Sequence, residues 1–115
     1  MQTDIFVGYG FGKKYVGCCE NGIIFLGRGW NRTAIGSYER DGSIYAGQGW
    51  NRTYLGKAEA GDVFSGYGFN RSYIGSVTDG NVFLGYGWNK TFLGSVVGLE
   101  QSVAAAALLL FNQFK

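Results

Sequence analysis

The chain has 115 residues, enough for one domain whose folding hides roughly two thirds of its unfolded surface. Apolar residues make up 46% and aromatic residues 17%, so a packed core is expected despite 21 glycines, and proline is absent. A net charge of +2 gives bulk electrostatics no claim on nucleic acid, and with no histidine neither a hydrolytic triad nor a zinc site is expected.

The chain opens on Met1-Gln2-Thr3-Asp4, which lacks the basic and apolar regions of a secretory signal. A unit of 19 or 20 residues then recurs five times. Its first apolar stretches are Ile5-Phe6-Val7-Gly8-Tyr9-Gly10-Phe11, Ile24-Phe25-Leu26-Gly27-Arg28-Gly29-Trp30, Ile44-Tyr45-Ala46-Gly47-Gln48-Gly49-Trp50, Val63-Phe64-Ser65-Gly66-Tyr67-Gly68-Phe69 and Val82-Phe83-Leu84-Gly85-Tyr86-Gly87-Trp88. A polar tip follows each: Gly12-Lys13-Lys14, Asn31-Arg32-Thr33, Asn51-Arg52-Thr53, Asn70-Arg71-Ser72 and Asn89-Lys90-Thr91. A second apolar stretch returns, as in Tyr54-Leu55-Gly56 or Phe92-Leu93-Gly94.

Each unit predicts a β-hairpin, with boundaries near 4–22, 23–42, 43–61, 62–80 and 81–98. The tips are expected to place Asn in the left-handed conformation, and Asn21-Gly22, Asp41-Gly42, Ala60-Gly61 and Asp79-Gly80 to join one hairpin to the next. The Gly-x-Gly pairs are read as lying inside the first strand of each hairpin, where glycine marks close approach of another element. They lack the Lys-Ser/Thr ending of a phosphate loop and open no helix. Tyr9, Arg28, Gln48, Tyr67 and Tyr86 occupy one equivalent position and are expected to line one barrel face.

The first and fifth units are as apolar as the middle ones, which favours closure of ten strands over an open stack with polar caps. Ten strands leave a bore that eight would not. The last segment, 99–114, is rich in Ala and Leu and predicts a helix about 22 Å long. Two placements fit it: within or across the barrel mouth, as its all-round apolar character favours, or out on a membrane surface or in an oligomer interface. Its longest apolar run, Val103 to Phe111, is too short to span a bilayer, which takes about 20 residues.

Units of this form, represented by Gly42-Ser43-Ile44-Tyr45-Ala46-Gly47 and Ile74-Gly75-Ser76-Val77, with the tail Ala104-Ala105-Ala106-Ala107-Leu108-Leu109-Leu110, resemble the bacterial β-flower proteins. The resemblance covers nearly the whole chain. It implies a mainly β, shallow, closed barrel with petal-like hairpins, a hydrophobic channel and a kinship in shape with tubby-like lipid-binding barrels. It implies no established activity. That family commonly has four-fold symmetry, so five units here imply a wider barrel.

Lys13, Lys14, Arg32, Arg52, Arg71 and Lys90 fall at the tips beside Phe11, Trp30, Trp50, Phe69 and Trp88, with amides at Asn31, Asn51, Asn70 and Asn89. Asp4, Glu20, Glu39, Asp41, Glu59, Asp62 and Asp79 are expected at the opposite rim. The tip residues are therefore the candidate ligand site. A basic, aromatic rim suits anionic lipid head groups or a hydrophobic small molecule, for a cytoplasmic protein in peripheral contact with a membrane. The plainer reading packs the rings between neighbouring petals, and an alternative takes the repeated tips as a multivalent carbohydrate site. The four Asn-x-Ser/Thr sequons at the tips are read as a by-product of the repeat. Acids confined to one rim leave no acid, base and nucleophile converging, so no enzyme, metal or cofactor is expected. The adjacent Cys18 and Cys19 are expected to point to opposite faces of a strand as free thiols in a reducing compartment.

Overall fold

The computed structural model describes residues 2–8, 10–47, 49–66, 68–85 and 87–114. The five hairpins pair β1 (Gln2–Val7) with β2 (Lys14–Glu20), β3 (Ile23–Leu26) with β4 (Thr33–Tyr38), β5 (Ser43–Ala46) with β6 (Thr53–Glu59), β7 (Asp62–Ser65) with β8 (Ser72–Thr78), and β9 (Asn81–Leu84) with β10 (Thr91–Val97). All pairings are antiparallel, and β1 closes onto β10 through Asp4↔Val97, Ile5↔Val96, Phe6↔Ser95 and Val7↔Gly94. The barrel is thus closed and presents no free edge. Its extents, 40 × 39 × 22 Å, make it a flat disc.

Alternation sets the inner and outer faces of each first strand. Ile5, Ile24, Ile44, Val63 and Val82, the first apolar residue of each unit, are fully buried toward the bore. The next residue, Phe6, Phe25, Tyr45, Phe64 or Phe83, faces out. Each returning strand carries a β-bulge: Ile5 lies opposite Gly17 and Phe6 opposite Tyr15, leaving Val16 as the extra residue, and the other four hairpins repeat the shift. The bulge lets Tyr15 face out and Gly17 face in although only Val16 separates them, and it bends each hairpin. We call each bent hairpin a petal and number the petals in chain order.

At the base, Asn21-Gly22, Ala60-Gly61 and Asp79-Gly80 have positive φ at both residues, as two-residue turns between twisted strands require. The second unit owes its extra residue to a longer turn, in which the Asp41 carboxylate accepts the Ser43 N–H at 3.0 Å.

The bore is filled by the chain's own end. In α1 (Gln101–Leu110), Val103 to Leu109 are all buried. Seven consecutive buried residues cover the whole helix circumference, so the helix is enclosed rather than laid on a surface, and it contacts β1, β2, β5, β6, β7, β8 and β10. It is shorter than the segment 99–114 suggests. Phe111 is extended, a 3-10 turn follows at Asn112–Phe114, and this break turns the Phe111 and Phe114 rings against Gly36 and Gly17. Leu109 packs on Gly75 in the same way. The glycines that receive the plug are therefore those of the returning strands, whereas the Gly-x-Gly pairs lie beyond the strand ends. The Glu100 N–H donates to Thr3 Oγ1 at 2.9 Å and ties the start of the plug to β1.

Candidate functional site at the petal tips

Each first strand ends at a glycine with positive φ: Gly8, Gly27, Gly47, Gly66 or Gly85. A second positive-φ glycine, at 10, 29, 49, 68 or 87, opens a single 3-10 turn such as Gly29–Asn31. The tight conformations are thus met by glycine, and among the tip residues Asn31, Asn51, Asn70 and Asn89 do not adopt them; positive-φ non-glycine residues occur at Asn21, Ala60 and Asp79 in the base turns. Of the five residues expected to line a barrel face, Tyr9, Gln48, Tyr67 and Tyr86 lie outside the described residues, and Arg28 lies 4.5 Å over the outward Tyr15 ring of petal 1.

The turn lifts one aromatic ring off each petal. Phe11, Trp30, Trp50, Phe69 and Trp88 have relative exposures between 102 and 111%, so the expected packing of these rings between petals does not occur. In an antiparallel closed barrel every first-to-second strand connection falls at the same end. All five rings consequently share one end of the disc, together with the exposed Asn31, Asn51, Asn70 and Asn89.

The neighbouring cations are not free points of charge. Seven residues beyond each outward ring of the first strand stands a Lys or Arg, and it folds back over that ring. Lys13 lies 4.7 Å from the Phe6 ring centre, Arg32 3.8 Å from Phe25, Arg52 3.8 Å from Tyr45, Arg71 4.0 Å from Phe64 and Lys90 4.4 Å from Phe83. The three arginines also reach acids of the preceding unit: Arg32–Glu20 at 3.0 Å, Arg52–Glu39 at 2.8 Å and Arg71–Glu59 at 3.2 Å. The expected separation of a basic rim from an acidic one is therefore cancelled in petals 2 to 4. The hydrogen bond from Arg71 holds the Glu59 carboxyl below its ordinary value, with Lys57 beside it adding to the effect. The bond to Glu20 likewise raises the affinity of Arg32 for its proton. For Lys90 of petal 5 and Lys13 of petal 1 the equivalent positions of the preceding unit are Thr78 and Val97. Among the described residues no carboxylate pairs with Lys90 or Lys13 there. The constant seven-residue spacing of ring and cation was the available sequence signal for this stack.

The outward ring of the first strand meets a cross-strand partner at right angles in four petals. Ring centres are 5.5 Å apart for Phe6–Tyr15 and Tyr45–Tyr54, 5.6 Å for Phe64–Tyr73 and 5.8 Å for Phe83–Phe92. In petal 2 the residue opposite Phe25 is Ala34. A cleft of about 490 Å³, lined by Gln2, Phe25, Gly29, Trp30 and Arg32, opens beside that petal. Between petals 1 and 2 a polar network forms on the outer face: Gln2 Nε2 donates to Asp4 Oδ1 at 2.6 Å, the Tyr15 hydroxyl to Asp4 Oδ1 at 3.4 Å, and Arg32 to Gln2 Oε1 at 3.4 Å and Cys18 Sγ at 3.6 Å.

Cys18 and Cys19 are free, buried and on opposite faces, with Cys19 in the core. Burial pushes the Cys19 thiol far up, and Cys18 and Glu100 nearby add to it, so it is no nucleophile near neutral pH. Among the described residues no cluster of ligating side chains could hold a metal ion, and no helix is long and apolar enough to cross a membrane. No protein family model, curated protein or solved structure matches the chain.

Proposed function

We propose that the chain is a non-enzymatic binding module that docks its tip end on a membrane surface. On this reading Phe11, Trp30, Trp50, Phe69 and Trp88 enter the head-group region while Lys13, Lys14 and Lys90 meet anionic head groups. One observation carries the proposal: five large rings, fully exposed, stand at equivalent positions on a single end of a flat disc. Rings related by a barrel repeat share one plane, and a flat interface is the surface that all of them can meet together. Trp in particular favours that depth, and lysine places its charge beside phosphate. Glycines and polar residues separate the rings, so they form no continuous apolar patch of the kind that cores a protein–protein interface. The channel suggested by the β-flower resemblance is occupied by α1, so hydrophobic ligands have the rim and not the bore. An anionic cytoplasmic leaflet is the membrane this charge pattern fits.

All three tryptophans of the chain are tip residues, so tryptophan emission, excited where tyrosine does not absorb, reports on this site alone. Phosphatidylcholine vesicles containing phosphatidylglycerol are expected to shift the emission to the blue and to carry the protein down on sedimentation. An unchanged spectrum and a protein left in the supernatant overturn the proposal.

Full exposure of the rings also meets the condition for stacking on sugars, and the tips repeat an amide and a cation beside each of Trp30, Trp50, Phe69 and Trp88. A spectrum indifferent to vesicles but shifted by soluble oligosaccharides moves the assignment to multivalent carbohydrate binding.

A further inference from the structure

Petal 2 departs from its siblings twice at the base of the barrel, the end opposite the tips. Its last inward residue is Tyr38, where the other returning strands carry Cys19, Ala58, Val77 and Val96. The turn that follows it is one residue longer than the other base turns, and the extra residue is Arg40. Both residues line one cleft of about 410 Å³, within the roughly 300–1,000 Å³ of small-molecule sites. The cleft opens beside the Asn21-Gly22 turn, and Thr3, Leu99 and Glu100 complete its lining. Helix α1 packs chiefly on β6, β7 and β8, which leaves the mouth of the bore unfilled toward petal 2.

The charges of this cleft are unpaired. Arg40 is flanked in sequence by acids engaged elsewhere: Glu39 holds Arg52 at 2.8 Å, and Asp41 accepts the Ser43 N–H at 3.0 Å. Glu20, at the end of β2, holds Arg32 at 3.0 Å. Among the described residues neither Arg40 nor Glu100 forms an ion pair, with each other or with a third group. The buried Thr3 hydroxyl accepts the Glu100 N–H at 2.9 Å, and among the described residues nothing accepts its own proton. We infer that the cleft binds a free α-amino acid with an apolar side chain. Arg40 and the Thr3 hydroxyl take its carboxylate, Glu100 takes its ammonium, and the exposed Leu99 and the Tyr38 ring meet its side chain. A cation and an anion in one cleft reject a ligand of single charge, which leaves one of them facing its like. Half-burial keeps the Tyr38 phenol protonated, so it adds no third charge.

The test titrates the isotope-labelled protein with leucine, leucinamide, N-acetylleucine and leucylglycine and follows shifts by NMR. Leucine is expected to move the Thr3, Tyr38 and Leu99 signals saturably while the tip tryptophans stay still. Leucinamide lacks the carboxylate, N-acetylleucine lacks the ammonium, and leucylglycine parts the two by a residue. Each should bind at least about tenfold more weakly than leucine. Arg40→Gln should remove the preference over leucinamide, and Glu100→Gln the preference over N-acetylleucine. Neither residue belongs to the tips, so vesicle docking should be unchanged in both. The inference is overturned by leucine shifts that are absent, unsaturable or scattered away from the cleft, or by equal binding of leucine and its analogues. A preference over leucinamide that persists in folded Arg40→Gln overturns it as well.

Discussion

A methyl group added at Gly56 would meet the carbonyl oxygen of Phe64 on the neighbouring strand, and backbone has no room to give. Gly36 is held the same way, with a Cβ 2.5 Å from both the Tyr45 oxygen and the Phe111 ring. Gly12 has neither a positive φ nor any atom near its missing Cβ. Gly56→Ala is therefore expected to cost about 1–3 kcal/mol or more, while Gly12→Ala stays within about 0.5 kcal/mol of the parent, as urea melts will show. Ala60 is the reverse case, an alanine at φ 50° where the equivalent turns hold Asn21 and Asp79. Ala60→Asn should raise stability by about 0.5–1 kcal/mol. At Glu59 the folded carboxyl titrates below its ordinary value of about 4.3. Its contribution is present above that value and is lost as pH falls through the lower, folded one. The melting temperature of the parent should thus drop between about pH 5 and pH 3. Glu59→Gln should lack that part of the drop.

The hairpin is the element that reads most directly from sequence, because β-branched and aromatic arms, tip and base turns recur five times in register. Its bend does not read at all. Alternation alone places Tyr15 and Gly17 on one face, two residues apart. The bulge at Val16 sends them to opposite faces, and a one-residue shift of this kind leaves no mark in a period-2 pattern. The Gly-x-Gly pairs look like strand for the same reason: nothing in composition separates a glycine facing a plug from one turning at positive φ. Helix α1 is legible as a buried helix from its apolar circumference, but not its end at Leu110, which packing of Phe111 and Phe114 on Gly36 and Gly17 decides. The fold-back of Arg32, Arg52 and Arg71 onto Glu20, Glu39 and Glu59 was hidden because chain position at a tip does not say how far a long side chain reaches. The enclosed helix makes a sharp demand on size. Ala106 is fully buried, so Ala106→Leu overfills the bore and should lower stability by about 1–3 kcal/mol. On an exposed helix the same change would be nearly neutral.

Closure makes the five tips one surface, and the distribution of charge makes that surface uneven. Petals 2, 3 and 4 carry an arginine paired with a glutamate, while the adjacent petals 5 and 1, which meet at the β1–β10 seam, carry lysine without one among the described residues. A membrane should feel the rings equally and the charge mainly at the seam and at Arg28, which lies over the Tyr15 ring of petal 1 without a carboxylate partner among the described residues. Half-immersing one ring is worth about 1 kcal/mol, a factor of about five in partition. The rings are separate and fully exposed, so losses should multiply: Trp50→Ser lowers vesicle partition about fivefold, and Trp50→Ser with Trp88→Ser about 25-fold. Neither change should move the melting temperature, since neither ring touches the fold. The triple change of Lys13, Lys14 and Lys90 to Ser should weaken binding to vesicles containing phosphatidylglycerol and leave binding to pure phosphatidylcholine as it was. Salt should erase the difference between the two vesicle types without removing the binding they share. A carbohydrate site at each tip would behave otherwise, losing one bound sugar per ring removed with the remaining sites unchanged in affinity.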